Sequence, residues 1–194
     1  MEHSESNFKL IQKTDFLTLD EANFLFDQLL REVKWEEKEI TLFGKRYLQP
    51  RLIAYYGLHG TSYTYSGQKM EPKPLSKTLL NILKRVNAFC DIEFNSILLN
   101  FYRDGKDSMG LHSDDEPELG SDPFIASLSL GANRKLIFKP KNSTDKQTFS
   151  LEQPHGSLLL MAPPTQRFWK HGINKVSRSE SRINLTFRKI ILID

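Results

Sequence analysis

The sequence predicts an α+β protein in which helices accompany a sandwich or jelly roll of short strands. Two observations support this class: two stretches in the first half carry apolar residues at helical spacing, and from residue 96 onward short β-prone runs alternate with turn signals. Evenly spaced short strands of this kind are typical of sandwiches and jelly rolls. A length of 194 residues fits one domain with a substantial core.

The helices are the most regular elements. Thr18 and Glu21 have the spacing of a capping box, which marks the start of a helix. An amphipathic stripe follows at intervals of three and four: Ala22, Leu25, Phe26, Leu29, Leu30 and Val33. A second helix is predicted from about Ser76 to Phe89, and its buried face would consist of Leu79, Ile82, Leu83 and Val86. Both stripes indicate packing against a core.

The remaining segments are less regular. Residues 1–14 are predicted to be a flexible tail, so the domain itself is expected to span 15–194. Between the helices, three β-prone runs rich in tyrosine and basic side chains predict hairpins at the surface. These runs are 40–47, 51–56 and 61–67. Strands of the C-terminal half are expected at 97–103, 124–130, 135–139, 148–151, 157–161 and 182–193.

Composition excludes some classes of protein. Apolar residues make up 39% and charged residues 26%, which is ordinary for a globular domain. The single cysteine, Cys90, excludes an internal disulfide and a cysteine-based zinc site. No stretch is long enough to span a bilayer, and the N-terminus is polar. We therefore expect a cytoplasmic protein, or a nuclear one in a eukaryote, and nothing in the sequence indicates an obligate oligomer.

The net charge is only +3, but the basic residues are clustered. Such clusters are compatible with a polyanionic partner, and solvated surface lysines explain them equally well. They are Lys45–Arg46 near Arg51, Lys84–Arg85, Arg134–Lys135 with Lys139 and Lys141, and the stretch 178–189.

Three residues form a candidate metal site. His112 and Asp114 are two positions apart, so on a strand both side chains would point to one face. His171 lies far along the chain, where another strand of a jelly roll could bring it close. Two histidines and one carboxylate are the ligand set of non-haem iron(II) oxygenases. The other histidines are not part of such a ligand pattern in the sequence and are predicted to be surface or structural residues: His3, His59 and His155.

The last predicted strand has one apolar and one polar face. Its polar residues are Arg182, Asn184, Thr186 and Arg188. This face lies either in solvent or inside the jelly roll, where buried guanidinium groups need anionic partners. Asn100 and Tyr102 repeat the alternation upstream of the candidate metal ligands. A dicarboxylate such as 2-oxoglutarate would satisfy these groups, because an arginine fork matches a carboxylate in bidentate fashion.

These motifs resemble the AlkB family of iron(II)/2-oxoglutarate-dependent nucleic-acid dealkylases over about residues 40–192. The resemblance rests on Asn-Phe-Tyr-Arg-Asp-Gly-Lys-Asp at 100–107, His-Ser-Asp-Asp-Glu at 112–116, Pro-Phe-Ile-Ala-Ser-Leu-Ser-Leu-Gly-Ala at 123–132, His171, and Arg-Ile-Asn-Leu-Thr-Phe-Arg at 182–188. Within the family, the sequence most resembles the eukaryotic-type DNA-repair members and their bacterial relatives, because Pro50–Arg51, 63–67 and 72–74 also fit. The implied fold is a double-stranded β-helix (jelly roll) at about 96–194, backed by helices, with an N-terminal nucleotide-recognition lid at about 38–72.

The resemblance also implies roles for individual residues. His112, Asp114 and His171 would hold Fe(II) and form the catalytic centre with O2. Arg182 would pair with the far carboxylate of 2-oxoglutarate, and Arg188 would lie near its metal-chelating end. The full set of implied 2-oxoglutarate contacts is Asn100, Tyr102, Arg182, Asn184, Thr186 and Arg188.

An enzyme that acts on a nucleobase must take it out of the stack. The resemblance places Tyr65 against one face of the flipped base and His112 against the other. Tyr63 and Glu116 would contact the base edge, and Asp115 would orient Arg51 or the base. The implied substrate-binding residues are Phe43, Gly44, Lys45, Arg51, Tyr63, Tyr65, Ser66, Asp115 and Glu116.

Phe43-Gly44-Lys45 matches the finger of duplex-acting members. An apolar wedge there would fill the gap left by an extruded base, while Lys45 and Arg46 would hold phosphates. The alternative is that Phe43 is a core residue of a hairpin.

The expected activity is oxidative demethylation of 1-methyladenine and 3-methylcytosine in DNA, a direct-reversal repair that releases formaldehyde. Positively charged lesions would suit a pocket that contains Asp115 and Glu116. One alternative keeps the chemistry and changes the substrate to RNA or protein. A second alternative is a non-catalytic nucleic-acid-binding module.

Overall fold

The computed structural model describes residues 2–5, 7–42, 45–65, 68–142 and 147–191. Its helices are α1 (Leu19–Glu32), α2 (Lys77–Cys90) and α3 (Thr165–Phe168), with a 3-10 turn at Pro117–Leu119. The strands are β1 (Glu2–Glu5), β2 (Phe8–Lys13), β3 (Glu39–Leu42), β4 (Lys45–Leu48), β5 (Leu52–Gly57), β6 (Tyr63–Tyr65), β7 (Gln68–Met70), β8 (Lys73–Pro74), β9 (Ser96–Tyr102), β10 (Met109–His112), β11 (Ile125–Gly131), β12 (Arg134–Pro140), β13 (Phe149–Gln153), β14 (Ser157–Ala162), β15 (Trp169–Ile173) and β16 (Arg182–Arg188).

Two sheets form the body of the molecule. The larger has eight strands in the order β1-β2-β14-β11-β16-β9-β5-β8, and the smaller has four in the order β10-β15-β12-β13. The pairs are antiparallel, except that β5 and β8 run parallel. Two such sheets face to face, with helices on the outside, are the predicted jelly roll backed by helices.

The helices cover the outer face of the eight-stranded sheet. α1 begins with the predicted capping box: Glu21 N donates to Thr18 Oγ1 at 3.3 Å, and Thr18 N donates to Glu21 Oε2 at 2.9 Å. α2 begins after its N-cap Ser76, whose hydroxyl accepts from Leu79 N. The apolar faces of both helices join one core with the outward side chains of the sheet. From β16 these are Ile183, Leu185 and Phe187.

A second core fills the space between the two sheets. The polar face of β16 points into this space, and each of its four polar side chains is at most 7% exposed. The interior interpretation of the last strand is therefore confirmed. The strand ends at Arg188 rather than at 193. Beyond it the backbone bonds to a side chain instead of a neighbouring strand, since Ile190 N donates to Asn95 Oδ1 at 2.8 Å.

Two predictions about the N-terminal half are wrong. The predicted tail 1–14 contains two strands, and β2 pairs with β14 from Lys9↔Ala162 to Lys13↔Leu158. The run 51–56 is no surface hairpin but an internal strand of the large sheet, β5, which lies between β8 and β9. In both cases the segment pairs with a strand that is distant in sequence, β14 for β2 and β9 for β5.

The other two runs of the predicted lid do form hairpins, β3–β4 and β6–β7. Residues 43, 44, 66 and 67, including Phe43, Gly44 and Ser66, lie outside the described residues. The side chains of Lys45, Arg46 and Tyr65 also lie outside them, although the backbone of these residues is in β4 and β6. In the described part of the chain, no helix is long and apolar enough to cross a membrane.

Candidate metal and co-substrate site

The three candidate iron ligands converge between the sheets. β10 ends at His112, which is the register partner of His171 on β15. Asp114 follows two residues later and is fully buried. One ligand atom from each of the three side chains lies within 4.8 Å of the others, and His171 Nε2 is 3.6 Å from Asp114 Oδ2. The spacing of these atoms suits a single metal ion.

The protonation states also suit a divalent cation. Burial, reinforced by the nearby His112, lowers the pKa of His171 to about 3, so its imidazole is neutral. Burial opposes ionisation of Asp114, but the positive charge of Arg188 outweighs it and lowers the pKa of Asp114 to about 2. Neutral imidazoles and an ionised carboxylate are the forms that bind metal. Among the described residues, no group donates a hydrogen bond to Asp114 Oδ2.

Arg188 holds the other oxygen of Asp114. Its Nη2 and Nε donate to Asp114 Oδ1 at 2.6 and 3.2 Å, and both side chains are buried. Burial acts to lower the pKa of Arg188, but the charge of Asp114 outweighs it and raises that pKa above its ordinary value. This pair orients the carboxylate and leaves Oδ2 toward the two histidines.

Arg182 is a buried cation without an anionic partner among the described residues. Its Nη2 donates to Ser129 Oγ at 2.8 Å, whereas Nε and Nη1 are buried without a described partner. Its guanidinium lies 5.2 Å from the centre of the Tyr102 ring. Burial lowers the pKa of Arg182 to about 10, so it stays charged at neutral pH. A buried, unneutralised guanidinium is costly, and the carboxylate of a bound dicarboxylate would offset that cost.

The other predicted co-substrate residues line the same cavity. Its lining includes Asn100, Tyr102, Arg182, Asn184, Thr186 and Arg188 together with the three candidate ligands. The amide of Asn184 is already used within the protein, because Nδ2 donates to Ser127 Oγ at 2.7 Å and Oδ1 accepts from Thr186 Oγ1 at 3.0 Å. These bonds fix the shape of the cavity wall.

Sequence reasoning missed Ser127 and Ser129 of β11. They face the same interior, opposite Thr186 and Asn184 in register. The signal was present, since serines alternate with leucines in Ser127-Leu-Ser129-Leu. It is weak on its own, because such alternation also describes a strand with a solvated face.

Some predicted substrate residues lie near the metal site. Tyr63 is buried, and its ring centre is 5.8 Å from the Arg188 guanidinium. Glu116 has a buried carboxyl oxygen, Oε2, without a described hydrogen-bond partner. Burial and the charge of Asp114 raise the pKa of Glu116 to about 7. These two residues therefore lie beside the Asp114–Arg188 pair of the candidate metal site.

The predicted contact between Asp115 and Arg51 is corrected. Asp115 is exposed and its Oδ2 forms an ion pair with Lys141 at 2.8 Å. Arg51 is buried, and its Nε donates to Asn100 Oδ1 at 2.7 Å. Asp115 points outward because it follows the inward-facing Asp114 in an extended segment.

A jelly roll that holds two histidines and one carboxylate beside buried arginines defines a non-haem iron oxygenase. Residues 9–188 match the 2OG-Fe(II) oxygenase superfamily. The chain belongs to this superfamily. Its similarity in sequence to AlkB homologues places it in the AlkB family.

The similar proteins are AlkB homologues. Alpha-ketoglutarate-dependent dioxygenase alkB homolog 3 of Mus musculus is 41% identical over 184 residues, which cover 90% of this chain and 64% of that protein. The DNA oxidative demethylase ALKBH2 of Mus musculus is 40% identical over 181 residues, which cover 88% of this chain and 76% of that protein. The chain thus spans just under two thirds of the length of the alkB homolog 3 proteins that it matches.

Solved structures show the same fold. The structure of OsALKBH1 has a TM-score of 0.63 at 18% identity, covering 96% of this chain and 98% of that one. A prolyl hydroxylase from Trichoplax adhaerens, solved with a hypoxia inducible factor peptide fragment, has a TM-score of 0.61 at 11% identity, covering 93% of this chain and 83% of that one.

Proposed function

We propose that this protein demethylates N-methylated bases in DNA, chiefly 1-methyladenine and 3-methylcytosine, using Fe(II), 2-oxoglutarate and O2. The observation that carries the proposal is the cluster of His112, Asp114 and His171 next to Arg182, a buried cation that lacks a described anionic partner. Relatives named for alkB homolog 3 and for DNA oxidative demethylation support the choice of substrate.

Arg182 and Arg188 would have different roles in the site. Arg182 would bind the far carboxylate of 2-oxoglutarate, and Arg188 would keep Asp114 ionised and oriented. When bound together, iron(II), 2-oxoglutarate and O2 supply the oxidation of the N-methyl group, with succinate, carbon dioxide and formaldehyde as by-products. The apolar walls between the sheets, among them Leu98 and Leu136, would exclude water from the cavity.

The charge of the pocket favours a cationic base. 1-Methyladenine and 3-methylcytosine carry a positive charge that the unmodified bases lack. Glu116 has a buried carboxyl oxygen beside Asp114, and its pKa of about 7 leaves it partly ionised at neutral pH. A cationic base would favour the ionised form, so the attraction rests on Glu116 rather than on Asp115, which faces Lys141. Tyr63 would contact the same base, and Tyr65 would stack on it.

The outer face of the small sheet offers a basic surface for the phosphate backbone. Lys139 and Lys170 are exposed and lie directly opposite each other on β12 and β15. No described residue forms an ion pair with either of them, whereas Lys135 and Lys141 are paired with Glu152 and Asp115. Like charges directly opposite each other are destabilising, and a bound polyanion would relieve that repulsion.

A demethylation assay on matched substrates tests the proposal. The purified protein, with Fe(II) and 2-oxoglutarate, is incubated with methylated single-stranded DNA, duplex DNA, RNA or a methyl-lysine peptide. The demethylated products are then quantified by mass spectrometry. We expect loss of the methyl group from DNA with formation of succinate, and none with the Asp114→Ala variant. Turnover of RNA or the peptide alone would favour the alternative substrates, and binding of methylated DNA without succinate would favour a non-catalytic module.

We further propose that the protein acts as a monomer in the compartment that holds the nucleic acid, the cytoplasm or, in a eukaryote, the nucleus.

A further inference from the structure

The backbone at Asp114 lies outside the strand ladder, because β10 ends at His112. A buried N–H group needs a hydrogen-bond partner, and Gln166, only 2% exposed, supplies one. Asp114 N donates to Gln166 Oε1 at 3.0 Å. The other end of the same amide donates from Nε2 to Met161 Sδ at 3.4 Å. The oxygen of Gln166 therefore faces Asp114 and its nitrogen faces the sulfur.

Gln166 lies in α3, the short helix that runs directly into β15 and His171. Two further contacts join β15 to the segment that carries the other candidate ligands. His112 is in register with His171, and Ser113 Oγ donates to Trp169 O at 3.0 Å. The segments that carry the three ligands are thus tied together at three successive residues.

We propose that Gln166 is a positioning residue for Asp114, an inference that rests on the proposed function of the metal site. Gln166 would hold the main chain of Asp114, while Arg188 holds its Oδ1 at 2.6 Å. The other oxygen, Oδ2, is then kept 3.6 Å from His171 Nε2, on the side where a metal ion would bind. Removing a group that orients a metal ligand typically weakens metal binding 10- to 100-fold.

Mn(II) binding to the apoprotein, without 2-oxoglutarate or nucleic acid, tests this role. The Mn(II) dissociation constant is measured from the electron paramagnetic resonance signal of free Mn(II). Gln166→Met keeps the length of the side chain and loses the amide oxygen, so we expect binding to weaken by about tenfold. Gln166→Leu is a second variant with the same expected direction, should the first fail to fold.

Thr165→Val is the matched control. Thr165 is on the same helix and 1% exposed, and its Oγ1 accepts from Lys9 N at 2.9 Å and donates to Lys9 O at 3.2 Å. Among the described residues the hydroxyl of Thr165 bonds only to Lys9 on β2, so its loss should lower the melting temperature but leave Mn(II) affinity within about twofold of the wild type.

The outcomes separate the two proposals. Unchanged Mn(II) affinity in the folded Gln166 variants, or an equal loss in Thr165→Val, would overturn the positioning role alone. Absence of Mn(II) binding by the wild-type protein would overturn the proposed function, and the positioning role with it.

Discussion

At the scale of single residues, two of the buried arginines, Arg134 and Arg182, have opposite surroundings. Arg134 donates to three backbone carbonyls, those of Asp104, Asp107 and Asn174. Arg182 donates to one hydroxyl and has two nitrogens without a described partner. A buried charge is retained at a cost unless it is paired. From this contrast we propose a structural role for Arg134 and a ligand-binding role for Arg182.

Arg182→Met should weaken 2-oxoglutarate binding by about tenfold or more, because the charge-assisted hydrogen bonds to the far carboxylate are lost. The free energy of unfolding of the ligand-free protein should stay the same or rise by about 1 kcal/mol, because a desolvated charge is removed. Isothermal titration calorimetry in the presence of Mn(II) and urea denaturation measure the two quantities.

Arg134→Met is the control for this prediction. It leaves three carbonyls without their donor, so we expect the free energy of unfolding to fall by about 2 kcal/mol. If Arg182→Met were as destabilising as this control while 2-oxoglutarate still bound normally, Arg182 would be structural.

Prediction at the scale of residues was most informative where chemistry restricts which residue types can fill a role. Few residue types bind iron, so the pattern of His112, Asp114 and a distant histidine was informative from the sequence alone. It failed for Asp115, because many residues can pair with a surface carboxylate. The choice of Lys141 depends on how the end of β12 lies against the segment after β10, which sequence spacing does not show.

At the scale of elements, β2 is a strand in a segment that the sequence predicts to be a flexible tail. It lies between β1 and β14 in the large sheet, and Leu10 is fully buried between the two sheets. The strand was missed because its six residues alternate apolar and polar side chains only weakly, with Lys9, Gln12 and Lys13 among them.

Leu10→Ala should lower the free energy of unfolding by about 2–5 kcal/mol, the usual cost of a cavity at a buried leucine. Lys13→Ala in the same strand is the control, and since Lys13 is exposed its effect should be within about 0.5 kcal/mol. Urea denaturation distinguishes them. A small effect of Leu10→Ala would restore the interpretation of this segment as a tail.

His155 joins three elements and makes stability depend on pH. Gly131 N donates to its Nδ1 at 2.7 Å, and its Nε2 lies 3.1 Å from Asn23 Oδ1 on α1. Nδ1 must therefore be unprotonated and Nε2 must carry the proton. Burial lowers the pKa of His155 below its ordinary value in the folded protein. A depressed folded-state pKa stabilises the protein above the unfolded-state pKa, and that stability is lost as the pH falls through the folded-state value.

We therefore expect His155→Gln to be less stable than the wild type at pH 7.5 by about 1 kcal/mol, the value of one buried hydrogen bond. The difference should shrink as the pH is lowered through 6.5 toward the folded-state pKa. Thermal denaturation of both proteins across this range measures it. A difference that stays constant with pH would show that His155 does not titrate between the two states.

At the scale of the whole molecule, the small sheet separates the interior with the candidate metal site from an outer face that carries two exposed lysines. Lys139 and Lys170 occupy the outer face of the same strands whose inner face carries Phe138 and His171. Alternation along a strand sends neighbouring side chains to opposite faces. Any phosphate held by the lysines would thus lie one sheet away from the metal site.

Replacing both lysines by alanine should weaken binding of methylated DNA and flatten its salt dependence, because about two phosphate contacts and their counterion release are lost. The expected loss is about threefold to tenfold at moderate salt, and turnover at saturating substrate should be unchanged. Fluorescence anisotropy at several salt concentrations measures the binding.

The double variant Lys77→Ala, Lys84→Ala on α2 is the matched control, because it removes the same charge from the helical side. If both pairs weaken binding equally, the effect is one of net charge and not of this face.

The sequence alone determined the elements whose signals are local. The capping box at Thr18, the helical stripes and the alternation in β16 depend on residues a few positions apart, and so does the ligand pair His112 and Asp114. Only the tertiary structure decided which face of β16 points inward, that β2 and β5 belong to the large sheet, and that Gln166 meets Asp114. These contacts join residues far apart in the chain, and their energy comes from burial and pairing that exist only after the sheets have closed.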